Sequence, residues 1–363
     1  MSEPDSAPPV SSRPQPALSF SRVLAIVLPV AVLGLAAYWW SSRLESEARE
    51  QMSSNVFARM LSTNVAAGSA PMSYPDKDGD FVADPPEDPA KLIAPDVLMF
   101  SFVAGESESV PQDAWQPLLS QLAEKTGREV QYVHYDTTGK QLEALKKGEL
   151  HIAGLNTGAV PVAVQRDGFV PICTFGRDDG SYGYTMQVLV PADSPLKDKN
   201  LAALKGRKVT FTRPDSNSGC KALLVLLKDH RLQPDRDYAW GFSLGHEESI
   251  KGIAANELEV APVASDILTR MVEKGEVDPN AFRSIYESER FPPATIGIAY
   301  NLTPELREAI RETVLSHDLR GTGLEGEFGE DVTKLVPVNY KDDWANARRI
   351  DQLVAQARRD RAG

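Results

Sequence analysis

From residue 97 onward the apolar positions alternate between two periods. Residues 97–102, 129–135 and 150–153 read as short strands. Between them Trp115, Leu118, Leu119 and Leu122, then Leu142 and Leu145, recur at helical spacing. Gly127 and Gly148 close the two helices, and Thr138-Gly139-Lys140-Gln141 reads as a capping box opening the second. The cycle then repeats. A strand at 208–212 leads through the polar turn Arg213-Pro214-Asp215-Ser216-Asn217-Ser218-Gly219 into the apolar run 220–230. A strand at 237–242 follows, then a helix opened by Gly245-His246-Glu247-Glu248 and carrying Ile250, Ile253 and Ala254, then a strand at 257–261. The echo is literal: Gly148-Glu149-Leu150-His151-Ile152-Ala153 against Asn256-Glu257-Leu258-Glu259-Val260-Ala261. Two such cycles predict two α/β lobes with mainly parallel sheets. Strands at 184–190 and 294–300 end the cycles, and Thr303-Pro304-Glu305-Leu306 starts a helix with Pro at its first position. If both strands cross between lobes, residues 96–190 and 295–363 form lobe one and residues 191–294 form lobe two. Ligand then sits between the lobes, at the C-terminal ends of the strands.

Upstream the pattern changes. Residues 1–22 are rich in Ser and Pro and read as a disordered cytoplasmic tail. Residues 23–40 are an uncharged apolar run of 18 residues ending in Tyr38-Trp39-Trp40, long enough to cross a bilayer. The segment before it is long for a cleaved leader and no small-x-small cleavage site follows, so the run reads as an uncleaved transmembrane signal anchor. Arg13 and Arg22 lie before it, and Arg43 and Arg49 lie after it among Glu45, Glu47 and Glu50, which puts the bulk of the chain on the extracytoplasmic side. Residues 41–95 read as a stalk and an acidic linker, dispensable for folding up to about Leu92. Inside it Asp76, Asp78, Asp80 and Asp84, followed by Glu87, are spaced like a calcium loop. Phe81 stands where such a loop needs Gly, and Pro85-Pro86 bars the helix that should follow, so a solvated acidic linker is the favoured reading.

Composition narrows the partners. The chain of 363 residues is 42% hydrophobic, enough for real cores, and its net charge of −12 with no basic stripe excludes nucleic acid as a partner. No histidine cluster has metal-ligand spacing and no cofactor is implied. Cys173 and Cys220 fit either a disulfide outside the cytoplasm or two buried thiols. The turn before the second apolar helix is the place with chemistry. Ser216, Asn217 and Ser218 stand at a helix N-terminus, where free backbone N–H groups, hydroxyls and the positive end of the dipole receive an anion. The same residues also serve simply to cap their own helix. Ser216 with His246 and Asp266 can be drawn as a hydrolytic triad, but no Gly-x-Ser-x-Gly elbow surrounds the serine. A membrane-tethered sensor or scaffold is the third class.

Several stretches, in order, resemble one family. They are Trp115-Gln116-Pro117-Leu118-Leu119, Val190-Pro191-Ala192-Asp193-Ser194-Pro195-Leu196, Pro214-Asp215-Ser216-Asn217-Ser218-Gly219, Gly245-His246-Glu247 and Ala264-Ser265-Asp266. Together they resemble the phosphonate, phosphite and phosphate substrate-binding proteins of ABC transporters. The resemblance implies an α/β, two-lobed periplasmic-binding-protein-like (type II) fold with hinge strands, here preceded by the transmembrane helix. It implies no enzymatic activity, a small phosphorus oxyanion as ligand and an ABC permease as partner. It places Ser216, Asn217 and Ser218 as anion donors, with His246, Glu247 and Asp266 completing the lobe-two side. A carboxylate there selects a ligand bearing P–OH or an amine and disfavours sulfate. Lobe one departs from the family. Thr138 stands where a Tyr is usual, and Gly154-Leu155 where an aromatic pair is usual. The expectation is therefore that the aromatic wall is missing and that Thr137, Thr138, Asn156 and Thr157 donate to a small, fully polar anion.

Overall fold

The first cycle folds as its periodicity predicts in a computed structural model that describes residues 72–103, 110–197 and 199–362. The expected tail and the apolar run 23–40 lie outside the described residues. Among the described residues no helix is long and apolar enough to cross a membrane. Strand β1 is Val97–Phe102 and helix α1 is Gln116–Thr126; Leu118 and Leu122 are fully buried along its inner face, and so is Trp115 at its N-cap. Gly127 stops α1 in the left-handed conformation at φ 65°, which a side chain adopts poorly. Strand β2 is Glu129–Tyr132 and helix α2 is Thr138–Lys147. The cap of α2 is Thr137, one residue before the expected capping box; its side chain accepts from the Lys140 N–H at 3.3 Å. Gln141 turns inward instead, donating to Ser101 Oγ and Gly154 O, and Thr138 is left buried. Strand β3 (Ile152–Leu155), helix α3 (Val160–Arg166) and strand β4 (Phe169–Gly176) complete the cycle.

The second cycle runs through β5 (Tyr184–Pro191), β6 (Lys208–Phe211), a π turn at Asn217–Lys221, α4 (Ala222–Asp229), β7 (Ala239–Phe242), α5 (His246–Ala254), β8 (Ala261–Ala264), α6 (Ser265–Glu273) and β9 (Phe282–Phe291). The chain ends with β10 (Thr295–Ala299), α7 (Pro304–Ser316), β11 (Lys334–Pro337), α8 (Tyr340–Asp343) and α9 (Ala345–Ala362). The echo read in the sequence is structural. Gly148 and Asn256 both adopt positive φ, at 73° and 61°, after their helices. The next two N–H groups in each case return to one carbonyl, that of Ala144 or Gly252.

The lobes divide differently from the sequence expectation. Lobe one is a six-stranded sheet in the order β11-β4-β10-β3-β1-β2. Lobe two joins the antiparallel trio β8-β5-β9 to the parallel pair β6-β7 through a bridge between Val209 and Val260. Strand β5 therefore belongs wholly to lobe two, and the first crossing is residues 177–183 rather than residue 190. The second crossing, residues 292–294, lies where expected. Parallel pairing holds for β2-β1-β3 and β6-β7, but β10, β11 and the β5 trio run antiparallel. The C-terminal segment is not confined to lobe one. Ile350 and Val354 of α9 pack with Leu223, Leu227 and Val209 in the lobe-two core, so the chain crosses a third time.

The acidic linker is also folded. Tyr74 packs on Tyr300 with ring centroids 4.5 Å apart, Ala83 is 3% exposed, and Val82 and Ile93 pack on the lobe-one core. Ile93 N–H donates to Asn301 O at 2.8 Å. The expectation that everything before Leu92 is dispensable is thus corrected: the composition is that of a linker, but its few apolar residues are buried. A chain starting at residue 92 should melt below one starting at residue 72, by roughly 5–10 °C, from a few kcal/mol of lost apolar burial. Equal melting temperatures in calorimetry would show that the segment contributes nothing.

Candidate functional site

Strand β6 ends at Phe211 and delivers the chain into the polar turn between the lobes. Ser216, in extended conformation, caps the π turn Asn217–Lys221, its Oγ accepting from the Gly219 N–H at 3.0 Å. Only glycine fits at 219, because a Cβ there would lie 1.8 Å from Thr212 Oγ1. The wide turn leaves Asn217 and Ser218 buried, at 3% and 1% exposure; both face the Tyr184 hydroxyl, yet Asn217 Nδ2 and Ser218 Oγ make no hydrogen bond of ordinary geometry among the described residues. Unmade donors at that depth are costly unless something external takes them. Both residues, with Ser216, line a cleft of about 780 Å³ between the lobes.

His246, at the start of α5, sets the state of Ser216. Its Nδ1 accepts from the Ala264 N–H at 3.1 Å, so in the neutral ring Nε2 carries the proton. Nε2 lies 3.3 Å from Ser216 Oγ and donates to it. Ser216 Oγ then accepts twice, and its own proton is free to be given to a ligand. Burial, then Arg213 and Arg270, bring the His246 pKa down to about 4, so the ring is neutral at pH 7. The same geometry rules against the drawn triad. A triad histidine donates from Nδ1 to a carboxylate and accepts at Nε2; here both nitrogens have the opposite roles. Asp266, in the first turn of α6, lines the cleft apart from the imidazole's Nδ1, and its Oδ1 has no partner among the described residues. Burial pushes its carboxyl up, against the Ile267 N–H and Arg270.

The lobe-one residues expected as donors are mostly engaged elsewhere. Thr138 Oγ1 donates at 2.6 Å to Asp215 Oδ2, and Asn156 Nδ2 reaches the same oxygen at 3.3 Å. Thr157 Oγ1 donates to Pro292 O at 2.6 Å and accepts from the Tyr184 hydroxyl at 3.2 Å. Asn156 and Thr157 line the cleft, and Thr138 does not. Burial opposes the charge of Asp215, but Arg213, the Thr138 hydroxyl and Lys221 outweigh it and hold the carboxyl below its ordinary range. Thr137 is occupied as a cap. Glu247 sits outside the cleft, 3.6 Å from Lys251 on the next turn of α5, as an acid favoured by its helix N-terminus.

Further side chains shape the cleft and the cores around it. An aromatic wall exists, built from Phe102, Phe175 and Phe328 instead of the family positions. Arg177, Arg270 and Arg290 also reach the cleft, although nothing in their local spacing marked them. Cys173 and Cys220 are free and buried in the separate cores of the two lobes, and burial pushes both thiols far up. In the acidic segment the carboxylates of Asp76, Asp78 and Asp80 lie within 4.8 Å of one another. Asp84 instead accepts from the Lys77 N–H and Glu87 pairs with Lys77, so the five residues spaced like a calcium loop do not converge.

The depressed pKa of His246 has a measurable consequence. The unfolded ring takes up a proton near pH 6.5 and the folded ring near 4. Between these values the unfolded state binds more protons, so this contribution to stability is complete above pH 6.5 and is lost as pH falls toward 4. Its size is on the order of 3 kcal/mol at most. Urea unfolding of the parent and His246→Gln between pH 7.5 and 4.5 should show the parent losing stability more steeply. Parallel curves would place the imidazole in a solvated site.

Comparison with known proteins agrees with this architecture. Residues 100–344 match the family described as ABC transporter, phosphonate, periplasmic substrate-binding protein. The chain is 23% identical over 258 residues to the phosphate-import protein PhnD of Mycolicibacterium smegmatis, covering 68% of this chain and 79% of that one. It is 22% identical over 224 residues to the phosphonates-binding periplasmic protein of Escherichia coli, covering 61% of this chain and 66% of that one. Among solved structures, the binding-protein component of an ABC phosphonate transporter from Pseudomonas aeruginosa superposes with TM-score 0.60 at 18% identity, over 72% of this chain and 87% of that one. PhnD1 from Prochlorococcus marinus, in complex with methylphosphonate, gives TM-score 0.60 at 14% identity, over 71% and 97%. With a two-lobed α/β fold and a match spanning most of its length, the chain belongs to the periplasmic substrate-binding proteins of phosphonate ABC transporters.

Proposed function

We propose that this protein captures a phosphorus oxyanion head group, that of a phosphonate, phosphite or phosphate, in the turn Ser216-Asn217-Ser218 and presents it to an ABC permease. The observation that carries the reading is the pair of buried, unpartnered groups, Asn217 Nδ2 and Ser218 Oγ, on the cleft wall. Beside them the His246 tautomer leaves the Ser216 proton free. Three donors at one helix start are suited to an oxyanion and are neutral, so they bind without a counter-charge. Asp266 supplies the discrimination. A carboxylate with an open oxygen repels a fully ionised anion and accepts from P–OH, so sulfate is disfavoured. The apolar run 23–40 holds the protein to the membrane as a single span, with the lobes on the extracytoplasmic side; alkaline carbonate extraction tests this, and release into the soluble fraction contradicts it.

Methylphosphonate, the ligand of the Prochlorococcus protein, is the first probe. Ser216→Ala with Ser218→Ala removes two donors, each worth roughly 1.5–3 kcal/mol to a charged acceptor. Affinity by isothermal titration should fall at least about a hundredfold. Stability without ligand should fall less, by about 1 kcal/mol for a lost cap. Asp266→Asn should narrow the preference over sulfate more than it weakens binding. Unchanged affinity in the double variant would reduce the turn to a helix cap.

A further inference from the structure

The cleft is larger than the head group, and one of its walls is aromatic. A water fills about 30 Å³ in the liquid, so an oxyanion of five heavy atoms takes on the order of 100–150 Å³. The cleft measures about 780 Å³. Lobe two supplies the Ser216-Asn217-Ser218 side; lobe one supplies Phe102, Phe175 and Phe328. Phe328 stacks on Phe175 with centroids 3.6 Å apart and planes 23° from parallel, and Phe102 meets Phe328 edge-on at 5.7 Å. Trp115 backs Phe102 at 4.5 Å from inside the core, so the wall is rigidly supported.

The three rings are not equivalent. Phe102 and Phe175 are buried, which core packing explains. Phe328 is only half-buried and lies before β11 in a turn closed by the Gly326–Gly329 bridge. The other lobe also holds this turn: Arg270 of α6 donates to the carbonyl of the preceding residue, Glu327, at 2.8 Å. On the crossing segment Arg177 pairs with Asp331, anchoring the other end of the same stretch. A ring presented to an interlobe cleft, in a stretch held by a bond across it, is placed to meet what enters the cleft. A flat face backed by a stacked partner favours another flat ring, by offset stacking.

Resting on the reading that the turn takes a phosphorus oxyanion, we propose that the natural ligand class is an organophosphonate or phosphomonoester with a planar aromatic substituent. Its head lies in the Ser216-Asn217-Ser218 turn and its ring lies on Phe328.

The test is isothermal titration of the full chain in detergent with phenylphosphonate, methylphosphonate and inorganic phosphate. The parent should bind phenylphosphonate at least about tenfold more tightly than methylphosphonate, from burial and stacking of one ring. Phe328→Ala should remove that margin, while Phe328→Tyr should keep it. If methylphosphonate binds and phenylphosphonate binds no better in the parent, the aromatic class is wrong and the oxyanion reading stands. A margin that survives Phe328→Ala also overturns the assignment. If none of the three binds, or if binding survives Ser216→Ala with Ser218→Ala, the oxyanion reading fails and the aromatic class falls with it.

Discussion

Asp215 is the buried carboxylate on which the geometry of the cleft depends. It stands one residue before the Ser216 cap, on lobe two, and takes hydrogen bonds from Thr138 and Asn156 of lobe one and from Arg213. At 5% exposure it would be expensive as an isolated charge, and these partners are what keep it ionised. A second buried ion works in the same place. Lys221, 2% exposed at the end of the π turn, donates to Gly158 O of lobe one and to Asp351 of α9, both at 2.8 Å. Gly158 itself approaches so closely that a Cβ would lie 2.1 Å from the Asp215 carbonyl. The turn that offers donors to a ligand is therefore clamped at both ends by charges that reach the other lobe and the C-terminal helix. Removing one partner of such a buried pair typically costs about 3–5 kcal/mol, because the other charge is left unpaired.

This arrangement divides labour between the lobes. Lobe-one polar groups are spent on holding the lobes together: Thr138 and Asn156 on Asp215, the Gly158 carbonyl on Lys221, and Thr157 on the Tyr184 hydroxyl. The buried cleft-lining side-chain atoms without a partner among the described residues, Asn217 Nδ2, Ser218 Oγ and Asp266 Oδ1, come from lobe two. What lobe one offers to the cleft is chiefly apolar. The result is a site with a polar end and an aromatic side, unlike the small, wholly polar pocket that Thr138, Asn156 and Thr157 suggested in the sequence.

The parts of this picture legible in the sequence were those governed by local rules. Period, helix stops at Gly127 and Gly148, and the repeated cycle followed from apolar spacing and backbone preference. The turn at Ser216 was legible because a helix cap is polar and the apolar run follows it at once. What was not legible depended on partners far along the chain. Nothing near Thr138 reveals that its hydroxyl meets a carboxylate 77 positions away. Phe328 gave no periodic signal, because its place is set by a turn, by the Phe175 ring and by Arg270 across the cleft. The acidic segment misled for a related reason: its composition is that of a solvated linker, and a few apolar residues, Tyr74, Val82, Ala83 and Ile93, carry the packing. Helix α9 was assigned to lobe one by sequence order, whereas its Ile350 and Val354 complete the core of lobe two.

The central claim is that the anion meets lobe two while Asp215 keeps the lobe-one donors. A crystal structure with methylphosphonate tests it directly, because phosphorus is located without assumption. The account predicts phosphonate oxygens within hydrogen-bonding distance of Ser216 Oγ, Asn217 Nδ2 and Ser218 Oγ, with Thr138 and Asn156 still bonded to Asp215. An anion found on Thr138 and Asn156, with the Asp215 carboxylate displaced, would contradict it.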